Sequence, residues 1–357
     1  KVSEGETTKS LADYRTPECQ KDIEGIAALW PREVFGYTNL DTKSNPAKFD
    51  SIFKIESKDT ATMTALQKLR GFIPDYGKDD KSLAKIAVGL NVDELAPVIT
   101  DLWTRASQAP VTCPSLKDIQ NSLNMTNPSM LAMGTAMVQG LQGVSFNLQE
   151  LKLKDDAADM PAAVEKLSFV ASVSGKNPTQ LWGMLSMADP ELANMVKLPA
   201  DGQSVDLPIP PVLPLPDKIK LGLYGQHITV FTGESGAKLA ASLAKQPLAA
   251  NGFYQLGLDY GLLADMAQFG EKQLEQANKA AESAQDAEQA TSGADMTAAP
   301  SSAEATATGS NATGEQQEVK QVITMLEEMR GVRLMTGLDF EPTGIAVKGS
   351  MELPQKK

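Results

Sequence analysis

The strongest constraint on the fold is a junction that occurs twice in the chain. "LQGVSFNLQELKL" (141–153) and "MRGVRLMTGLDF" (329–340) each follow a helical pattern and change, at a Gly-Val pair, into alternating apolar and polar residues. Alternation with a period of two is typical of a strand with one buried face. The sequence therefore predicts that one helix–Gly–Val–strand unit was used twice.

A second pair of segments supports this duplication. "KIAVGLNVDELAPVITDLWTRA" (85–106) and "YQLGLDYGLLADMAQFG" (254–270) both read as a strand followed by a helix. Gly89 aligns with Gly257, 168 positions later, whereas Gly143 aligns with Gly331, 188 positions later. The second copy therefore holds 20 more residues than the first.

The extra length falls in a low-complexity insert at about 271–318. The segment is rich in Ala, Glu, Gln, Ser and Thr and contains no aromatic residue. Such a composition buries too little apolar surface to offset its conformational entropy. We expect its first half to extend a helix, since Ala, Glu, Gln and Lys favour helices, and its second half to be disordered.

These patterns predict an α+β fold with two related units of antiparallel sheet packed against helices. In each unit a partner strand completes a hairpin, "KLSFVASVSG" (166–175) in the first and "GIAVKGSMEL" (344–353) in the second. The expected divisions are an N-terminal arm and short helix (1–30), the first unit (31–200), a Pro-rich connector (201–217) and the second unit (218–357).

The duplication makes specific predictions about the two junctions. Glycine tolerates a left-handed backbone, so Gly143 and Gly331 are expected where a helix ends and a strand begins. The apolar residues that follow should point to one buried sheet face, and the Met-bearing helix before the first junction should cover that face. The residues concerned are Val144, Phe146, Val332 and Leu334. Elsewhere, "PAKFDSIFKI" (46–55) has apolar residues at a helical spacing.

Charge and hydropathy exclude several classes of partner. The 357-residue chain has a net charge of −12, so nucleic acid and anionic lipid headgroups are unfavourable partners. No apolar run approaches the roughly 20 residues that cross a bilayer. The chain starts at Lys1 with a polar stretch, and a signal peptide or lipid-anchoring Cys would have to precede that residue.

The two cysteines are predicted to form a disulfide. Cys19 in "TPECQKD" and Cys113 in "VTCPSLKD" each stand next to a proline in polar surroundings. An even count in this setting favours one bridge over two buried thiols. A disulfide would place the protein in an oxidising compartment.

The chain resembles a loose group of uncharacterised bacterial cell-envelope proteins. The resemblance rests on the first hairpin together with "PREVFGYTNLD" (31–41), "ITVFTGESGAKLAASLA" (228–244) and "GFYQLGLDYGLLADM" (252–266). It implies an α+β fold and an extracytoplasmic location, in the periplasm or attached to the outer membrane. The group has no defined active site, so the resemblance implies no functional residue.

The sequence predicts no catalytic, cofactor-binding or metal-binding residue. His227 is the chain's single histidine, and its place in "YGQHITVF" suggests a solvated or structural side chain. Zinc-ligand spacing and a phosphate-binding glycine loop are absent, and Ser235 in "GESGA" does not fit the nucleophile elbow.

The acidic residues of the predicted helices have a structural explanation. The acids near the starts of predicted helices interact favourably with the N–H groups there. These are Asp93, Glu94, Asp259 and Asp265. The run "DDAAD" (155–159) lacks the spacing of a calcium loop and reads as a solvated turn.

Methionines provide the clearest indication of binding. A stripe at helical spacing and a second cluster near a tryptophan suit irregular apolar ligands or partner helices, although such a stripe can also be core. The candidate apolar binding surface consists of Met130, Met133, Met137, Trp182, Met184 and Met187. The segment "LPIPPVLPLP" (207–216) is predicted to be an extended connector, with docking to an aromatic groove as the alternative.

The function that the sequence favours is non-enzymatic. We expect an extracytoplasmic protein that binds a partner protein or an apolar ligand in the bacterial cell envelope. A lipid carrier with a cavity between sheet and helices is the alternative. A hydrolase is less favoured because no nucleophile–histidine arrangement is evident.

Overall fold

Eleven antiparallel strands form one hydrogen-bonded sheet in the computed structural model, which describes residues 14–78, 82–125, 128–154, 163–188, 190–208, 215–291 and 312–354. The protein is therefore α+β, as predicted. The strands are β1 (Arg32–Asp41), β2 (Ala47–Glu56), β3 (Ala84–Val88), β4 (Leu141–Leu153), β5 (Val164–Gly175), β6 (Gln203–Asp206), β7 (Lys220–Tyr224), β8 (His227–Thr232), β9 (Tyr254–Asp259), β10 (Arg333–Glu341) and β11 (Gly344–Leu353).

The strand order joins both predicted units into this single sheet. It runs β1-β2-β11-β10-β9-β3-β4-β5-β8-β7-β6, with β1 and β6 at the edges. The β4–β5 and β10–β11 hairpins lie on opposite sides of the central pair, β3 against β9. The N-terminal hairpin, β1–β2, pairs with β11 near the other end of the chain.

Helices connect the strands and lie against the sheet or at its ends. Local signals explain several boundaries: Thr16 caps the first helix, Pro17 begins it, and Asp59 caps the second through the amide of Thr62. The helices are α1 (Pro17–Leu29), α2 (Thr60–Lys68), α3 (Val92–Gln108), α4 (Pro114–Met125), α5 (Ser129–Ala136), α6 (Pro178–Ala188), α7 (Pro190–Met195), α8 (Gly233–Ser242), α9 (Tyr260–Thr291) and α10 (Ala312–Glu328). Short 3₁₀ turns span Asp75–Lys78 and Leu243–Lys245.

Three predicted features lie wholly or partly outside the described residues. The acidic run 155–159 is one, and most of the Pro-rich segment is another, since 209–214 are not described. In the low-complexity insert, α9 extends to Thr291 and α10 begins at Ala312, while 292–311 lie outside the described part.

The helical interpretation of "PAKFDSIFKI" is wrong, because the segment forms β2. Phe49 and Phe53 lie on one sheet face and Ile52 on the other, as their pairing with β11 shows. The strand has hydrogen-bonded neighbours on both sides and half-buried residues on both faces. Apolar residues on both faces obscure the period of two and imitate a helical spacing.

The predicted corner at Gly143 is also wrong. Gly143 lies inside β4, where a Cβ would come within 2.1 Å of the carbonyl oxygen of Phe72. The corner is instead at Gly140, whose φ is +83°, just before β4. Gly331, with φ of +86°, does occupy the corresponding place before β10. Close backbone packing, which the sequence does not reveal, accounts for Gly143.

Strand register divides the sheet into two chemically different faces. One face carries hydroxyl, amide and charged side chains along neighbouring strands, and we call it the polar face. Its central members are Lys85, Ser145, Asn147, Ser172, Ser174, His227 and Thr229. The other face carries almost only apolar side chains, and we call it the apolar face. Its central members are Ile86, Val144, Phe146, Phe169, Leu256 and Leu334.

Cover on the polar face comes from α8 and the segment 72–78. Helix α8 contacts β4, β5 and β8. Phe72 and Tyr76 pack with Val170 and Phe231 of the sheet and with Ala240 of α8, and all of these residues are buried. The small residues Gly236 and Ala240 let α8 approach closely, since a Cβ on Gly236 would meet Phe169 backbone at 2.2 Å.

Helices cover the apolar face only in part. Near the turn between β10 and β11, α2 and α3 pack on Phe340 and Leu338. Over β7 and β8, α6 and the residue after α7, Val196, pack on Leu221 and Ile228. The strands between these two covers keep exposed apolar side chains. The prediction that Val144, Phe146 and Leu334 are buried is therefore wrong, because they are 42%, 37% and 39% exposed.

The predicted disulfide is present and joins α1 to the start of α4. Cys19 and Cys113 are bonded across 94 positions and fully buried. Beside them, the Asp22 carboxylate accepts hydrogen bonds from the amides of Thr112 and Cys113 at 2.6 and 2.7 Å. The hydrogen bond from Cys113 lowers the pKa of Asp22. Bridge and carboxylate together attach the N-terminal helix to the rest of the fold.

Gly143→Ala should destabilise the fold, whereas Gly36→Ala should not. Both glycines are in strands, but a Cβ at Gly143 meets the Phe72 backbone, and a Cβ at Gly36 meets nothing within 4 Å. We expect Gly143→Ala to lower the free energy of unfolding in urea by about 1–3 kcal/mol. Equal effects of the two substitutions would contradict the close packing of 72–78 on β4.

Loss of the disulfide should also destabilise the protein. Because the bridge closes a long loop, Cys19→Ser with Cys113→Ser is expected to cost about 2–5 kcal/mol of unfolding free energy. Peptide mapping without reductant should recover both cysteines in one species. Two free thiols in protein purified without reductant would refute the pairing.

Candidate functional site

His227 and Ser174 form a serine–histidine contact that is sealed inside the protein. The Ser174 hydroxyl lies 2.8 Å from Nδ1 of His227, and Nε2 lies 3.2 Å from the carbonyl oxygen of Gln246. The imidazole is fully buried and packs on the Phe72 ring. His227 is therefore structural and not solvated, and a substrate has no access to this pair.

A hydroxyl and amide network continues along the polar face beside His227. The Tyr76 hydroxyl lies 2.8 Å from Ser145 and donates to Ser172 at 2.9 Å. Asn147 donates to the carbonyl oxygen of Tyr76 and to Ser82. Each polar group is satisfied, so the network stabilises the cover over the polar face. Sequence reasoning missed it because single serines in a strand give no signal.

The predicted acidic residues connect helix starts to strand ends. Asp93 accepts from the amide of Gly140 at 2.7 Å and from Lys176 at 2.6 Å. Asp259 accepts from the amide of Gly261 and from Arg333, both at 2.8 Å. These contacts fit the structural role that the sequence suggested. Among the residues that the structure describes, no group of three or more potential metal ligands is present.

The open part of the apolar face is the strongest candidate for a functional site. Its exposed side chains lie on adjacent strands from β4 through β3 and β9 to β10, with cross-strand pairs Phe146–Ile86 and Ile86–Leu256. At the sheet edge, Phe35 is 65% exposed and stacks edge-on with Tyr37. From β1 to β4 the sheet has seven strands, and their six spacings of about 4.8 Å give a width of about 29 Å.

Exposed methionines lie at the end of this sheet, where the chain turns between strands. Met130, Met133 and Met137, on and just after α5, and Met187 on α6 are 71–79% exposed. The prediction that the Met-bearing helix covers the first hairpin is wrong, because α5 packs on α3 instead. After α5, the carbonyl oxygen of Gly140 accepts a hydrogen bond at 2.9 Å from the amide of Lys176, which lies between β5 and α6.

The remaining two residues of the predicted apolar surface have a different environment. Trp182 and Met184 are half-buried and pack against the cluster formed by Leu181, Val196 and Leu221. The structure therefore separates the predicted surface into exposed methionines and two residues that help to cover the apolar face. Sequence reasoning missed the aromatic and aliphatic residues of the sheet itself, because their alternation was interpreted as core.

Comparison with known proteins gives no family. No protein-family model matches the chain, and the comparisons with curated proteins and with solved structures yield no significant match.

His227 should make stability depend on pH in a narrow window. Burial lowers the pKa of His227, so the folded protein takes up its proton at lower pH than the unfolded chain, whose histidine titrates near about 6.5. Stability is then fully present above this pH and falls as the pH drops toward the folded-state pKa. Urea unfolding of the wild type should show this loss below about pH 6.5.

The matched variant is His227→Gln, which removes the chain's single imidazole. Its overall stability should be lower, because two buried hydrogen bonds are disturbed, but its stability should change little between pH 5.5 and 7, roughly the window set by an ordinary histidine. A wild-type slope that persists in the variant would assign the pH dependence to other groups.

Proposed function

We propose that this chain is a non-enzymatic binding protein of the bacterial cell envelope whose apolar face holds an apolar ligand with hydrocarbon chains. One observation carries the proposal: the covered centre of the sheet is polar and the uncovered centre is apolar. An ordinary half-covered sheet has the opposite arrangement. Exposed apolar surface of this extent on a monomer marks a binding site or an interface.

The partial covers give the proposed ligand a defined place. Helices α2 and α3 at one end and α6 at the other leave the strands β9, β3 and β4 between them. Ile86, Phe146 and Leu256 line that gap. A hydrocarbon chain lying there would bury both its own surface and theirs, at roughly 25 cal/mol for each Å². This arrangement also supports the related proposal of a lipid carrier.

A partner protein is the second candidate, and the exposed methionines favour it. Met130 and Met133 on α5 and Met137 just after it present exposed thioethers, and methionine adapts to irregular apolar surfaces. The two candidates use adjoining surfaces and predict different effects of substitution: sheet residues for a hydrocarbon ligand, α5 residues for a protein partner.

One observation supports an extracytoplasmic location. The Cys19–Cys113 disulfide is compatible with an oxidising compartment. No helix within the described ranges is long and apolar enough to cross a membrane. We propose the periplasm or attachment to the outer membrane through a lipid anchor, in line with the resemblance to cell-envelope proteins.

We also propose that the sheet arose by duplication. The strand order supports it, because β11-β10-β9 and β3-β4-β5 are arranged symmetrically about the central β9–β3 pair, and hairpins β1–β2 and β7–β8 flank them. The junctions support it as well: Asp93 and Asp259 each link a helix start to the beginning of the next long strand or its corner. The apolar face would then be built from both units.

A charge at the centre of the apolar face should abolish binding of hydrocarbon. We expect the wild type to enhance the fluorescence of an acyl-chain probe and to release lipid that mass spectrometry can identify after organic extraction. Phe146→Glu places a carboxylate in the gap and should remove both signals. The fold should persist, because residue 146 is already partly exposed.

The control is Lys152→Glu, which introduces the same residue at an exposed position of the same strand. It should leave probe binding unchanged. Met133→Glu, on α5, separates the candidates, since it should affect only a partner protein. If the wild type binds no acyl chain, or binds it equally with Glu at position 146, the hydrocarbon proposal is wrong.

A further inference from the structure

A cleft of about 520 Å³ lies on the polar face, on the far side of the sheet from the apolar face. Its floor is formed by β2, β11, β10 and β9, and its walls by Ile73, Gly77 and the segment 251–253 on one side and Thr38 on the other. The volume is within the range of small-molecule sites, about 300–1,000 Å³.

The position of the cleft follows from the arrangement of covers. On one side of the central β3–β9 pair, α8 covers the polar face of β4, β5 and β8. On the other side, the same face of β10, β11 and β2 forms the cleft floor. The cleft therefore occupies the position that α8 occupies in the other half of the sheet.

The lining combines an apolar floor with charges that balance. Ile52 and Met335 provide apolar surface. The charged members of the lining are two carboxylates, Asp50 and Asp339, and two amines, Lys85 and Lys348. Asp339 pairs with Arg70 at 2.7 Å, and Lys348 pairs with Glu341 at 2.9 Å. The cleft therefore offers no excess charge to attract an ion.

The lining also presents acceptors with unused capacity. Asp50 accepts from Ser350 at 2.6 Å and from Asn39 at 3.1 Å, which leaves room for further donors on its two oxygens. Oε1 of Gln255 is buried beside Gly77 and has no hydrogen-bond partner. Gln255 is itself one of the residues that line the cleft. A buried acceptor without a donor is costly unless a ligand or water satisfies it.

We propose that this cleft binds a small neutral molecule rich in hydroxyl groups, of the size of a mono- or disaccharide. Balanced charges select against ions, Oε1 of Gln255 lacks a donor, and Asp50 can accept further hydrogen bonds from hydroxyl groups. Ile52 and Met335 contact the C–H surface of such a ligand. The site is independent of the apolar face, so either proposal can fail alone.

Titration of the full chain with named saccharides tests this site. Glucose, N-acetylglucosamine, maltose and trehalose are assayed at millimolar concentrations by saturation-transfer NMR, with glutamate and spermidine as charged comparators. We expect at least one saccharide and neither comparator to bind. Gln255→Leu should weaken that binding about tenfold, the value of one or two lost hydrogen bonds. Its melting temperature should stay equal or rise, because an unsatisfied buried oxygen is removed.

Gln203→Leu on the edge strand β6 is the matched control, since Gln203 is exposed and distant from the cleft floor in the strand order. Gly337→Val is a second variant, which fills the floor directly and should abolish binding. The proposal is overturned if no saccharide binds, if a charged comparator binds instead, or if neither cleft variant weakens binding. It is also overturned if Gln203→Leu weakens binding as much as Gln255→Leu.

Discussion

The structure depends on burial of a polar strand surface under α8 and the segment 72–78. Such burial is favourable only when every donor and acceptor has a partner. Tyr76 meets this requirement by bridging Ser145 and Ser172, while His227 connects Ser174 to the backbone at Gln246. Because α8 and the segment 72–78 cover the polar face, other elements have to cover the apolar face.

The chain supplies only part of that second cover. Helices α2 and α3 meet one end of the apolar face and α6 the other, each through its own hydrophobic cluster. The disulfide fixes α1 against α4 rather than against the sheet. The central strands therefore retain exposed aliphatic and aromatic side chains, and this is the physical reason to assign binding to that face.

Sequence patterns were reliable where one local rule determined the outcome. The alternation in 141–153 and 166–175 predicted β4 and β5, and the proline after Trp30 marked the end of α1. They failed where packing at a distance decided: Gly143 is small because Phe72 approaches it, and β2 has apolar residues on both faces. The cleft gave no sequence signal because its lining comes from widely separated segments.

The sequence by itself determined the α+β class, the β4–β5 and β10–β11 hairpins, the disulfide and the division of the residues of these strands between two faces. These follow from local periodicity, turn residues and cysteine count. Only the tertiary structure decided that both predicted units share one sheet and that Tyr76 and α8 cover the polar face. A strand's alternation states which residues share a side, but the element that covers that side is set by contacts between distant segments.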